Sequence, residues 1–236
     1  MVEKDLASAQ QLALGLTLRD DCTLETYYPG DNEQALNSVK QIARGIGEPF
    51  IYLWGRQGVG RTHLLQGACH YANRFNRTAF YLSLAAPSAH IKMLDDLERI
   101  DLICIDDVDA KSGDPKWEEA LFYLFNRVRA ASHRLLMAAD VAPKLLPIKL
   151  ADLQSRLTWG ITYQLHPLDD EQLLAALQLR AKQRGLELPR EVGLFLIRRC
   201  VRTMPELYEM LASLDQASLV AKRRLTIPFV KEVLAL

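Results

Sequence analysis

The stretch GRQGVGRT, residues 55 to 62, follows the apolar run FIYLW and leads into HLLQGACHYANRF. Gly55, Gly60 and a hydroxyl at Thr62 have the spacing of a phosphate-binding loop, and a strand before it and a helix after it are the context that loop requires. Its glycines let backbone N–H groups turn toward phosphate oxygens, and the start of the following helix adds partial positive charge. The expected nucleotide cradle is Gly55, Gln57, Gly58, Val59, Gly60, Arg61, Thr62 and His63, with the Thr62 hydroxyl offered to Mg²⁺. Arg61 stands where Lys is usual. A guanidinium can bond a phosphate through two hydrogen bonds, so binding should survive, but it does not replace the compact charge of Lys.

The acidic partner of such a loop is in LICIDDVD, residues 102 to 109, an apolar run that ends in carboxylates. Asp106 is placed to hold Mg²⁺ through water. Asp107 follows, where a general base would orient the attacking water. That base is most often Glu, and Asp is one methylene shorter, which withdraws the carboxylate by about 1.5 Å. General-base catalysis needs hydrogen-bond reach, so hydrolysis should be slow. Asp140, closing RLLMAAD, is a further polar residue at a strand tip, able to touch the nucleotide and position water. The chemistry expected is a nucleotide held with Mg²⁺, as ADP more than ATP, and turned over poorly.

Strand-length apolar runs position these residues: FIYLW, AFYLSLA (79–85), IDLICI (100–105), RLLMAA (134–139) and ITYQLH (161–166). Helix-period segments lie between them, at 63–75 and at 116–130, where Trp117, Leu121, Leu124 and Val128 share a face. Strands alternating with helices predict an α/β fold with a parallel sheet covered on both faces. Beyond the last strand only helical patterns remain. Asp169 and Gln172 make a capping box, the helix they open should stop at Gly185, and further helices are expected near 190–200, 205–223 and 227–234. Thr203 and Glu206 form a second capping pattern, with Pro205 at the helix start. The organisation expected is a tail (1–19), an α/β nucleotide-binding base (20–166) and a smaller helical lid (167–236).

Composition limits the partners. The 29 basic residues balance 29 acidic ones, so no overall field draws the chain onto nucleic acid. No apolar run approaches the roughly 20 residues that cross a bilayer. The start of the chain, MVEKDLASAQQLALGL, lacks a secretory pattern. Cys22, Cys69, Cys104 and Cys200 are far apart and lack metal-ligand spacing, which suits free, mostly buried thiols in a reducing cytoplasm.

The loop, the acidic strand end, Asp140, an Arg156 within LADLQSRLTWG just before the last strand, and the helical cap come in the order of the AAA+ branch of P-loop ATPases, which they resemble. The resemblance implies that Asp140 is the sensor 1 residue and that Arg156 is an arginine finger acting on the nucleotide of a neighbouring molecule. YYPGDNEQAL, residues 27 to 36, is similar to the opening of the DnaA-type ATPase domain, which implies that Tyr28 flanks the base. The ending LDQASLVAKRRLTIPFVKEVL looks like the cap of Hda, the family of DnaA-related regulators, and that resemblance covers nearly the whole chain. DnaA continues into a helix-turn-helix domain that reads DNA, whereas this chain stops at Leu236, so contact with DNA is expected only indirectly. The sensor 2 arginine of the cap is replaced by Pro205, with Arg202 as a nearby substitute.

QLALGL, residues 11 to 16, is close to the peptide by which bacterial proteins dock on the replication sliding clamp, with Gln11, Leu12, Leu14 and Leu16 in the contact positions. By itself the peptide fits a Leu-rich element packed on the base equally well. The Hda resemblance favours clamp binding. It implies a negative regulator of replication initiation that activates ATP hydrolysis by DnaA and is not itself an enzyme, with a homodimer or larger oligomer as a further expectation. The alternative is an ATP-driven enzyme of the helicase-loader type, which shares the base.

Overall fold

A computed structural model describes residues 18–19, 22–199 and 204–235. Its sheet is five-stranded and parallel, in the order β2-β3-β4-β1-β5, with β1 Phe50–Trp54, β2 Ala79–Ser83, β3 Leu102–Asp106, β4 Arg134–Ala139 and β5 Ile161–Gln164. The strands begin and end within a few residues of the apolar runs, because an interior strand of a parallel sheet is buried on both faces and shows as a continuous apolar stretch. Every residue of β3 is buried, Asp106 included. The helices of this α/β unit are α1 Glu33–Ala43, α2 Arg61–Asn73, α3 Pro115–Ala130 and α4 Ala151–Leu157. On α3 the face expected from periodicity, Trp117, Leu121, Leu124 and Val128, is buried in a core shared with Phe50, Ile103, Leu135 and Leu153.

The position of β4 decides what meets in the cleft. It lies between β1, which feeds the glycine loop, and β3, which ends in Asp106. The residue after β4, Asp140, therefore emerges between the loop and the acidic strand end.

The chain divides into two compact units, one holding Asn32–His166 and the described residues up to Leu24, the other Glu25–Asp31 and Pro167–Leu236. The second is helical, with α5 Asp170–Gln183, α6 Arg190–Arg199, α7 Met204–Ala221 and α8 Ile227–Leu234 around a core that includes Leu177, Leu196, Leu211 and Phe229. The capping box expected at its start is present: Asp169 accepts from the Gln172 backbone and Gln172 accepts from that of Asp169. The helix stops where expected, with Gly185 at φ 73°. Thr203 and Arg202 lie outside the described residues.

One boundary differs from the sequence expectation. Glu25–Asp31, assigned to the base by chain position, groups with the helical unit. Gln172 donates to the Asp31 carboxylate at 3.2 Å, and a Cβ at Gly30 would meet the Leu168 side chain at 2.6 Å. Tyr28 lies in this segment.

Glu118 of α3 is 1% exposed, and its carboxylate accepts from the N–H groups of Gly113 (2.7 Å), Lys149 (3.0 Å) and Leu150 (2.8 Å). It thereby ties the start of α3 to the segment that enters α4, the helix carrying Arg156. Hydrogen bonds to a charged acceptor contribute about 1.5–3 kcal/mol. Glu118→Gln should lower unfolding free energy by about that much in urea denaturation. A loss under about 0.5 kcal/mol would show that other contacts hold this segment.

Candidate nucleotide-binding cleft

Gly60, the N-cap of α2, has φ 95°, and Gly58 has φ 88° with nothing within 4 Å of where a Cβ would stand. Both conformations are unfavourable for residues with side chains. They keep the cradle open and leave the first turn of α2 without a side-chain cap, so its N–H groups can receive an anion. Gln57 is exposed, and the Val59 N–H closes a turn onto Arg56 O at 3.3 Å. His63 turns away from the loop, donating Nε2–H to the Thr23 carbonyl at 2.8 Å.

Asp106 has no exposed surface. Its Oδ2 accepts from the Thr62 hydroxyl at 2.6 Å and from the Tyr81 phenol at 3.0 Å, and its Oδ1 accepts from Asp107 N–H at 3.0 Å. Burial, reinforced by the neighbouring Asp107 charge, holds its carboxyl above the usual carboxylate range, while Thr62, Tyr81 and Arg61 pull the other way. Burial and the Asp106 charge likewise raise the Tyr81 phenol. Thr62 and Asp106 thus sit together as the sequence expects. Their two oxygens are of the kind that would hold Mg²⁺, which keeps much of its water, beside a phosphate.

Asp107 adopts φ 53°, a left-handed turn that Asp tolerates, and its Oδ2 accepts from Ser83 Oγ at 2.6 Å. Tyr81 and Ser83 escape the sequence reading. The signal for them is alternation on β2, whose Phe80 and Leu82 are buried while Tyr81 and Ser83 are partly exposed.

Arg61 is 8% exposed and its guanidinium forms an ion pair with Asp140, with Asp107 3.9 Å away. The sequence reading has Arg61 facing phosphate and Asp140 positioning water; in this structure the two charges face each other. Nη1 of Arg61 remains buried with no acceptor among the described residues. A buried donor left unpaired is costly, and a phosphate oxygen would satisfy it. The open glycine cradle and this orphaned donor together fit a nucleotide phosphate. The Asp140 N–H donates to Asp109 Oδ1 at 3.0 Å, and the Tyr52 hydroxyl donates to Val141 O at 3.1 Å, so the tip of β4 is fixed at several points.

Arg156 lies on α4, half-buried, with its guanidinium 5.8 Å from the centre of the Phe125 ring. Phe125 stacks on Phe50 at 4.3 Å, and Trp159, which Arg129 covers at 4.0 Å, completes the aromatic group. A Cβ at Gly160 would stand 2.0 Å from the Phe50 carbonyl, so only glycine allows this close turn into β5. No carboxylate pairs with Arg156 among the described residues. Gln11, Leu12, Leu14 and Leu16 lie outside the described residues, as does Cys200; Cys22, Cys69 and Cys104 are buried. No helix among the described residues is long and apolar enough to cross a membrane.

A raised folded pKa at Asp106 means that the ionised form costs stability. The cost is absent below the usual carboxylate range, where the group is protonated folded or unfolded, and builds as pH rises toward the raised value. Asp106→Asn, which cannot ionise, should therefore melt a few degrees above the unsubstituted protein near neutral pH without nucleotide. The gap should close toward about pH 4. A gap independent of pH in calorimetric melts would refute this.

The family model for the bacterial DnaA ATPase domain matches residues 18–164, and that for the lid domain of Hda matches residues 169–234. Among solved structures, the chain is similar to domain III of the replication initiation protein DnaA from Thermotoga maritima. Identity is 21% and the TM-score 0.77, over 93% of this chain and 98% of that one. It is also similar to the replication initiator DnaA bound to AMPPCP and single-stranded DNA, at 25% identity and TM-score 0.72 over 88% of this chain and 70% of that one. AMPPCP-bound DnaA from Aquifex aeolicus is 25% identical, with TM-score 0.70 over 84% of this chain and 66% of that one. The chain therefore belongs to the family of the bacterial DnaA ATPase domain, and its helical unit matches the lid domain of Hda.

Proposed function

We propose that this chain is a negative regulator of chromosomal replication initiation. It holds ADP with Mg²⁺, docks on the DNA-loaded sliding clamp through Gln11, Leu12, Leu14 and Leu16, and stimulates hydrolysis of ATP bound to DnaA by donating Arg156. The observation that carries this reading is the state of the two arginines. Arg61, the cation of the chain's own cradle, is engaged by carboxylates, whereas Arg156 is half-buried on an aromatic support with no carboxylate partner among the described residues.

The division of labour follows from charge and position. Gly58, Gly60 and the start of α2 would bind the phosphates, and Thr62 and Asp106 the metal, which would screen phosphate charge. Asp107, shorter than Glu and held by Ser83, is poorly suited to reach an attacking water, so the chain's own hydrolysis is expected to be weak or absent. The aromatic group under Arg156 restricts its motion at little cost, since a guanidinium is stabilised over a ring face. Trp159, in the turn before edge strand β5, and Ile161, which opens that strand, are partly exposed and give the same region an apolar surface that a protein partner can cover. The relatives that bind AMPPCP support an adenine nucleotide here.

The test loads DnaA with radiolabelled ATP and follows hydrolysis in the presence of DNA-loaded clamp and this protein. The unsubstituted chain should accelerate hydrolysis, and Arg156→Ala should remove most of the effect, since a supplied arginine finger accounts for about 10³–10⁵ in rate. Leu14→Ala/Leu16→Ala should abolish the clamp-dependent acceleration. Full stimulation by Arg156→Ala would overturn the assignment. ATP hydrolysis by the chain alone, with DnaA unaffected, would favour an ATPase of the helicase-loader type.

A further inference from the structure

The helix that opens at the glycine loop also holds the chain entering the α/β unit. One face of α2 presents His63, Gln66, Gly67 and His70, at the three- and four-residue spacing of neighbours on a helix surface. His70 Nε2–H donates to the Arg19 carbonyl at 3.1 Å, His63 Nε2–H donates to that of Thr23 at 2.8 Å, and Gln66 Oε1 accepts the Arg19 N–H at 3.0 Å. A Cβ at Gly67 would stand 2.7 Å from the Leu24 side chain and 3.1 Å from its backbone nitrogen, so a side chain there would push this segment away. Arg19 comes three residues after QLALGL. Gln66 is only 6% exposed, and its amide also reaches the cleft: it donates to the Tyr81 phenol, which donates to Asp106 Oδ2 at 3.0 Å beside the Thr62 hydroxyl. A row of hydrogen bonds thus runs from Thr62 and Asp106 through Tyr81 and Gln66 to the backbone of Arg19.

Chemistry fixes the direction of this row. A carboxylate only accepts, so Tyr81 gives its one proton to Asp106, and the phenol oxygen is left to accept from Gln66. The amide is thereby oriented with its own oxygen toward the Arg19 N–H. The reverse orientation would set donor against donor at Arg19 and acceptor against acceptor at Tyr81. We propose that Tyr81 and Gln66 relay the occupancy of the cleft to Arg19, so that a nucleotide bound with Mg²⁺ tightens the attachment of the tail's root to α2. The input to this relay rests on the reading of the cleft as a nucleotide site. A cation beside Thr62 and Asp106 would hold the carboxylate in place, and each bond further along the row is set by the one before it. Linkage makes the effect reciprocal: a partner that draws Arg19 off α2 would weaken nucleotide binding by the same factor. A protein gripping QLALGL would be felt in the cleft by this route.

The experiment follows hydrogen–deuterium exchange of the Arg19 amide in the full-length protein, with and without saturating ADP and Mg²⁺, while isothermal calorimetry measures binding separately. In the unsubstituted chain ADP with Mg²⁺ should slow exchange at Arg19 by about tenfold. Tyr81→Phe keeps the ring and both ends of the row. It and Gln66→Met should each reduce that ratio to within about twofold even when saturated with ligand. His70→Ala, which removes a contact to Arg19 outside the row, should speed exchange in both states and keep the ratio, as a merely structural loosening does. Nucleotide-dependent protection that survives in Tyr81→Phe, or that is absent from the unsubstituted chain although calorimetry shows ADP bound, would overturn the relay and leave the nucleotide site standing. Failure of the unsubstituted chain to bind ADP would overturn the nucleotide reading itself, and the relay with it. Neither DnaA nor clamp is present, so the outcome is independent of the regulatory role.

Discussion

A carboxylate with no exposed surface is the constraint around which the α/β unit is arranged. Asp106 ends a strand buried on both faces, and a buried charge demands compensation from whatever surrounds it. The donors come from three directions: Thr62 from the helix after the glycine loop, Tyr81 from edge strand β2, and the backbone of the left-handed turn at Asp107. Satisfying one side chain therefore locks the loop helix to β3 and fixes β2 beside it. The burial that makes this arrangement demanding also raises the carboxyl's pKa. A divalent cation held beside Thr62 would offset that cost by favouring the ionised form.

The consequence passes to Arg61 through the order of the strands. With β4 between β1 and β3, the tip of β4 stands between the glycine loop and the end of β3, and the residue at that tip is an acid that faces Arg61. Arg rather than Lys suits such a place, because a planar guanidinium can face a carboxylate on one side and still present another nitrogen elsewhere. Arg61 and Asp140 make sense as a pair: each alone would be a buried or crowded charge, and together they leave Nη1 of Arg61 buried without an acceptor among the described residues.

A second arginine is handled in the opposite way. Arg156 is carried on a seven-residue helix whose entry is held by the buried carboxylate of Glu118, whose exit depends on a glycine tight against Phe50, and whose guanidinium lies over Phe125. These features position the side chain without neutralising it. One cation is thus spent within the chain while another is kept available, and on the proposed reading that difference separates a nucleotide-holding regulator from an enzyme acting on its own nucleotide.

Much of this was legible in the residues themselves. FIYLW and LICID become strands, the helix after 169 starts with its capping box and stops at Gly185, and Thr62 meets Asp106, because apolar period, capping chemistry and loop geometry are local properties written in consecutive residues. Tertiary structure decided which charges face each other. Nothing near residue 61 announces Asp140, nothing near 118 announces the N–H groups of 149 and 150, and the allegiance of Glu25–Asp31 to the helical unit depends on contacts with residues 168 and 172. Ion pairs and buried hydrogen bonds of that kind join residues far apart in the chain, and they form only where the strand order and packing bring their partners within a few ångströms.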